Sequence, residues 1–320
     1  MKESEIRPEE LFNKYLDLST QDGQLLDRNE FVEISCPSCG EDKSPVSFVK
    51  NDYSYKVCQA CNNLFCSPRP NEEQLKYLYS ESKSSAYWSK EFFPAVCEAR
   101  KEKLFKPKAK KIKELLSLRN IKINTLCDIG AGHGLFLEEI SKTLEEVNLF
   151  AIEPDLNSAK ICEGKGIEVL NKTVENSSEW SDKFDFVISS EVIEHVYDPQ
   201  VFIAGLHSLL KEDGYLLITG LGYEGFDILT LQADSKAVTP PHHLNFFSIK
   251  GFEQIFSKAG FSKFDIWTPG KLDVDIVLNS NTLNPFFNAL KDRGDDALKE
   301  FQDFLVKYKL SSHVWILAQK

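Results

Sequence analysis

The chain has 320 residues, a net charge of −11, 42% hydrophobic residues and 27% charged residues. That is enough for one large domain and a small one, and no apolar run reaches the roughly 20 residues of a membrane-spanning helix. The acidic balance counts against a nucleic-acid backbone as main partner, because that binding needs clustered cations. The start, MKESEIRPEE, lacks the apolar core of a signal peptide, so a cytoplasmic location is expected.

Residues 1–30 read as a helical lead-in, with Leu11, Phe12, Tyr15 and Leu16 on one face. Residues 31–70 are rich in cysteine and turns. Cys36-x2-Cys39 and Cys58-x2-Cys61 are separated by 18 residues. Two such knuckles can close a tetrahedral four-cysteine zinc site, full and therefore structural, as in a zinc ribbon. SFVKNDYSYKV between them suits a short hairpin, and Cys66 is left for packing. Residues 71–120 read as a helical linker or lid. One helix starts after Asn71, and a second runs from Ala95 to Leu118, bent at Pro107. Ala99 to Lys122 holds ten Lys or Arg against two acids, Glu102 and Glu114. That is a solvated face or an electropositive wall for a substrate diphosphate, with Arg100 and Lys103 best placed for the second role. Tyr87, Trp88, Phe92 and Phe93 read equally as lid aromatics or as core.

Residues 121–320 alternate strands with helices. INTLCDI, NLFAIE, IEVLN, FDFVISS and GYLLITG read as strands, and FDIWTP and HVWILAQ as the last two. Alternation with helices of about a dozen residues implies βαβ units and a sheet covered on both faces. Residues 270–310 read as an insertion, mostly helical after Asn284-Pro285.

Asp128-Ile-Gly130-Ala-Gly132-His-Gly134 sits where the first of these strands turns into a helix, and Glu153 ends the next strand. Glycines there let the backbone approach a ligand, and a carboxylate at that place can accept both ribose hydroxyls of a nucleoside. With EVIEH and DGYLLIT further on, this resembles the class I S-adenosylmethionine (SAM)-dependent methyltransferases. CPSC, CQAC and SPRP resemble the zinc-ribbon leader of a subset that includes sugar C-methyltransferases. The resemblance implies an α/β, Rossmann-like sheet of seven strands, the last antiparallel, with a small N-terminal zinc-ribbon domain. It implies that Asp128, Gly130, Gly132 and Gly134 hold the cofactor, Glu153 its ribose, Val174 and Glu175 its adenine side and Ser190 its methionine side.

Glu191, Glu194 and His195 then lie beside the transferable methyl group. His242 and His243, in TPPHHLNFFS, return over the same pocket. Three readings stand. In one, His243, with His242 second, is a general base, while Glu191, Glu194 or His195 orients substrate. In another, Glu191, Glu194 and His195, spaced i, i+3 and i+4 as on one side of a helical turn, bind a second divalent metal with a later histidine. Certain small-RNA and quinone O-methyltransferases look alike at this stretch. In the third, Glu194 and His195 only begin a helix. The expected protein is a cytoplasmic methyltransferase with SAM, a structural zinc and a small polar acceptor, a nucleotide-linked or polysaccharide-pathway sugar. The alternatives are a metal-assisted O-methyltransferase on a terminal hydroxyl, RNA included, and a zinc-ribbon module for a protein partner whose methyltransferase fold is inactive.

Overall fold

The computed structural model describes residues 2–280 and 284–320. Its strands are β1 (Val46–Lys50), β2 (Tyr53–Val57), β3 (Leu64–Cys66), β4 (Thr125–Ile129), β5 (Asn148–Ile152), β6 (Glu168–Leu170), β7 (Phe184–Ser190), β8 (Leu210–Leu221), β9 (Asn245–Phe246), β10 (Lys263–Trp267) and β11 (His313–Gln319). Seven of them form one sheet in the order β10-β11-β8-β7-β4-β5-β6. The final strand, β11, is antiparallel to both its neighbours, and the pairs of β4, β5, β6, β7 and β8 are parallel. All seven strands expected from the alternation form, in the expected sheet.

The central strands of the sheet are buried on both faces, which is why runs such as residues 186–188 and 216–218 are apolar. Side chains alternate between two cores. Val187, Leu216 and Ile316 face Phe202, Ile203, Phe252 and Phe256. Phe186, Ile188 and Leu217 face Ala109, Ile112, Leu116, Phe136 and Ile140. Each fully buried side chain of this size contributes about 1.5–3 kcal/mol. Helices Pro199–Leu209 and Ile249–Lys258 cover the first face, and helices Lys106–Leu118 and Leu135–Thr143 the second.

The smaller sheet, β1-β2-β3-β9, was not foreseen in its last member. β1 and β2 form the expected hairpin, turned at Asn51 and Asp52 with φ of 48° and 63°, the left-handed pair that a tight hairpin needs. β9, however, comes from after β8 and pairs with β3, so the cysteine-rich region is hydrogen-bonded into the large domain. The docking is polar and buried. Asn63 accepts the Ser248 backbone N–H at 2.9 Å and donates to Ser38 Oγ at 2.7 Å.

The lead-in forms helix Glu9–Leu25. Its Phe12 shares a small core with Tyr87, Phe92 and Val96, with Tyr15, Leu16 and Trp88 against it. Pro107 does not break the linker. The chain stays helical from Lys83 to Leu118, with two widened π turns, Trp88–Phe92 and Lys101–Phe105. Each widened turn ends one residue short of the N1 position before Pro94 or Pro107. A proline lacks the N–H for an i−4 bond, and a wider turn accommodates it. The 270–310 stretch holds helices Asp273–Leu278, Pro285–Asp292 and Asp295–Lys307, and part of it lies outside the described residues.

A Cβ on Gly251 would stand 1.8 Å from Asn63 Oδ1. Gly251→Ala should therefore cost about 1–3 kcal/mol by overpacking, read as a lower urea midpoint at unchanged slope.

Candidate active site

The ends of β4, β5, β7 and β8 converge on one side of the large sheet. Gly130, Gly132 and Gly134 have φ of 72°, 54° and 69°, a region that side chains other than glycine rarely adopt. A Cβ on Gly130 would meet Val192 Cγ2 at 2.8 Å and one on Gly134 would meet Cys162 Sγ at 2.6 Å, whereas one on Gly132 would meet nothing within 4 Å. Gly132 thus presents bare backbone to open space. Glu153 is buried, and its carboxylate accepts N–H bonds from Gly132 at 2.7 Å and Asp155 at 2.9 Å. Burial raises the Glu153 pKa above the usual carboxylate value, against those two bonds. Asp128 is also buried, which pushes its pKa up to about 7 although Lys108 opposes the shift.

Val174 is packed in the core and Glu175 is exposed. Ser190 ends β7, where its Oγ accepts a hydrogen bond from Lys108 Nζ at 3.0 Å. Lys108 also donates to Thr219 Oγ1 at 2.8 Å. Its pKa is lowered, first by burial, with Glu191 and Asp128 opposing. Sequence reasoning missed Lys108. The available signal was its place beside the apolar stripe Phe105, Ala109, Ile112 and Leu116 of an otherwise basic helix.

Residues 191–195 form a turn, not the helical turn that the i, i+3, i+4 spacing suggested; it closes with the His195 N–H on the Val192 carbonyl at 2.9 Å. Glu191 takes φ of 56° and is turned toward β8 and β11. It accepts hydrogen bonds from Thr219 Oγ1 at 2.9 Å and His313 Nε2 at 2.9 Å. Burial pushes the Glu191 pKa up, but His313, Lys108 and Thr219 outweigh this and hold it well below the usual carboxylate range. Glu191 therefore leaves the metal set in which its spacing placed it. The cluster that forms is Glu194, His195 and His243, whose ligand atoms lie within 4.8 Å of one another.

The two imidazoles are prepared as lone-pair donors. His195 Nδ1 lies 3.1 Å from the His242 carbonyl and His243 Nδ1 lies 2.5 Å from the Ala237 carbonyl. Each carbonyl assigns the ring proton to Nδ1 and leaves Nε2 as acceptor. Burial lowers the His195 pKa to about 4 and drives that of His243 well below its ordinary value, so both rings are neutral at pH 7. Glu194 is 1% exposed, and its Oε2 has no hydrogen-bond partner among the described residues. Burial and the nearby Glu191 raise its pKa well above the ordinary carboxyl value. His242 is not part of the cluster. Its Nε2 lies 3.1 Å from Ser84 Oγ, and its ring stacks on Tyr15.

A buried asparagine ties this turn to the smaller sheet. Asn245 Nδ2 donates to the Val196 carbonyl at 2.9 Å, and its Oδ1 accepts from Arg69 Nη1 at 2.9 Å. Arg69 also bonds the Tyr197 carbonyl. The Glu194 carbonyl accepts the N–H groups of Leu244 at 2.8 Å and Asn245 at 3.1 Å. Tyr55, fully buried, donates to the His243 carbonyl at 2.7 Å. At the far end of the smaller sheet the four cysteines gather, with Cys36 and Cys61 Sγ 3.4 Å apart and Cys39 and Cys58 Sγ 3.4 Å apart. The hydrogen bond from Cys61 lowers the Cys36 pKa to about 5, which readies one thiolate. Cys66 is buried in β3, as packing.

A family model described as a methyltransferase domain matches residues 98–264. The ubiquinone biosynthesis O-methyltransferase of Ruegeria pomeroyi is 39% identical over 173 residues, covering 48% of this chain and 70% of that relative. The enzyme of the same name from Bartonella tribocorum is 26% identical over 188 residues, covering 56% of this chain and 71% of the relative. Among solved structures, the plantazolicin methyltransferase BpumL in complex with SAH is similar in fold, with a TM-score of 0.51 and 15% identity over 77% of this chain and 93% of that one. With the seven-stranded order and the glycine loop, the match over residues 98–264 establishes that this chain belongs to the methyltransferase-domain family and is a SAM-dependent class I methyltransferase.

Proposed function

We propose that this protein is an O-methyltransferase acting on a hydroxyl of a small molecule, with a catalytic divalent metal beside the cofactor and a structural zinc in the ribbon. The observation that carries this reading is the Glu194–His195–His243 cluster at the end of β7. Its residues fit a metal: one buried carboxylate has an orphaned oxygen, and two neutral imidazoles have Nδ1 held by backbone carbonyls. The relatives named as O-methyltransferases point the same way. A sugar acceptor has no support among them.

SAM, when bound, supplies the methyl group already activated by its positive sulfur. Gly132 offers bare backbone to it, and the buried Glu153 carboxylate keeps lone pairs for the ribose hydroxyls. Asp128 and Ser190 line the same strand ends. A divalent ion at the cluster would polarise the acceptor hydroxyl and lower its pKa. Glu194, His195 and His243 would hold it. His243 Nε2 is the lone pair best placed to take the hydroxyl proton where no metal is bound. The four cysteines fit zinc in number, softness and clustering.

Three outcomes are expected. Glu153→Ala should weaken SAM binding about tenfold or more in calorimetric titration, with the fold unchanged by circular dichroism. Glu194→Gln should leave one zinc per chain by mass spectrometry but lose the second metal and lower kcat on hydroxyl acceptors by about a hundredfold or more. Equal activity and metal content in Glu194→Gln and the parent would contradict the metal reading. Tyr55→Phe removes the bond to the His243 carbonyl, so the third outcome is a fall in kcat with zinc content and SAM affinity retained, measured on the same acceptor.

A further inference from the structure

Two arginines stand close to one another beside the site, and one of them, Arg100, is not satisfied by the protein. Arg100 lies midway along the linker helix, between the two π turns. Its guanidinium carbon sits 5.9 Å from the Trp88 ring, 5.9 Å from Phe93 and 6.0 Å from Phe105. It makes no hydrogen bond or ion pair among the described residues, and its Nε is wholly buried without a partner. Arg7 comes from the lead-in. It forms an ion pair with Glu3 at 3.6 Å, and its Nε is buried without a hydrogen-bond partner. Arg7 is close enough to Arg100, Glu194 and His243 to act on each electrostatically, and Arg100 acts likewise on Lys108 and is attracted by Glu191. Lys103, which the sequence ranked beside Arg100, is paired with Glu5 at 2.5 Å and points away from this role.

The charge balance is uneven. Arg7 lies close enough to Arg100, and Arg100 to Lys108, for each pair to repel. Glu191 already serves His313 and Thr219, and Arg7 is paired with Glu3, so Arg100 is the cation left over. In a protein with a net charge of −11, Arg100 is thus left as a cation without a carboxylate partner among the described residues, its Nε wholly buried. Arginine matches carboxylate and phosphate with paired N–H groups, and aromatic walls suit an apolar body attached to the anion.

We propose that Arg100, with Arg7 beside it, binds an oxyanion (a carboxylate or phosphate) carried by the methyl acceptor, whose apolar part lies between Trp88, Phe93 and Phe105. The assignment rests on the methyl-acceptor reading of the Glu194 cluster. An oxyanion could also come from the methionine part of the cofactor, and the test separates the two sources.

The full chain is titrated by calorimetry with benzoate and with its uncharged match benzamide, with and without saturating S-adenosylhomocysteine. The cofactor product is itself titrated in the first arm, so failure of the methyltransferase site is seen separately from failure of the anion site. The expected result is benzoate binding about tenfold tighter than benzamide in the saturated protein. Arg100→Gln should abolish that preference and leave S-adenosylhomocysteine affinity within about twofold. Arg7→Gln should reduce the preference too, and it serves if Arg100→Gln does not fold. Equal binding of benzoate and benzamide would overturn the proposal. So would benzoate binding only without S-adenosylhomocysteine, together with weakened cofactor affinity in Arg100→Gln, because the anion would then be the methionine carboxylate.

Discussion

Asn245 is the polar constraint on which the site depends. It is fully buried, and a buried amide is tolerated only when its donors and acceptors are met. Here its Nδ2 holds the Val196 carbonyl just after the EVIEH turn and its Oδ1 is held by Arg69, which leaves the smaller sheet. Its backbone belongs to β9, and its neighbour His243 belongs to the metal-fitting cluster. One side chain therefore fixes three things together: the turn after β7, the histidine loop after β8, and the strand that joins the ribbon to the large domain. Loss of one partner would leave the others buried and unpaired, a larger penalty than a single exposed hydrogen bond carries.

This gives the ribbon a physical role at the site. Its cysteines end in knuckles beside Asn63, which is bonded to Ser248, and Cys61 is bonded to the same serine through its carbonyl. Three residues earlier the chain reaches Asn245, and His243 is held from the ribbon side by Tyr55. A metal that closes the knuckles stiffens the sheet from which these bonds come. The ribbon is thus a buttress for the histidine loop and not an appendage on a linker.

The large sheet was legible because its central strands carry apolar runs bounded by turns and alternate with helices, and that pattern is local. The glycine loop and Glu153 were legible for the same reason. The cysteine spacing foretold the four-sulfur cluster. What the sequence hid was long-range pairing. β9 is two residues long, too short to carry a period, and its partner β3 lies some 180 positions earlier. Glu191 was misplaced because spacing assumes a helical turn, whereas its left-handed φ and its partner His313, 122 positions away, turn it aside. His242 and His243 look equivalent in sequence, but one serves Ser84 and the other faces Glu194. Arg100 and Lys103 looked alike in sequence, and only the partners separate them, since Lys103 is paired with Glu5 and Arg100 has no ion pair among the described residues.

The most direct test is anomalous diffraction from crystals grown with S-adenosylhomocysteine and manganese, with data also collected at the zinc edge. The account predicts zinc on Cys36, Cys39, Cys58 and Cys61, and manganese bound by Glu194, His195 and His243 with Glu191 still on His313. Manganese ligated by Glu191, or no manganese at the cluster while the cofactor product is bound, would contradict it.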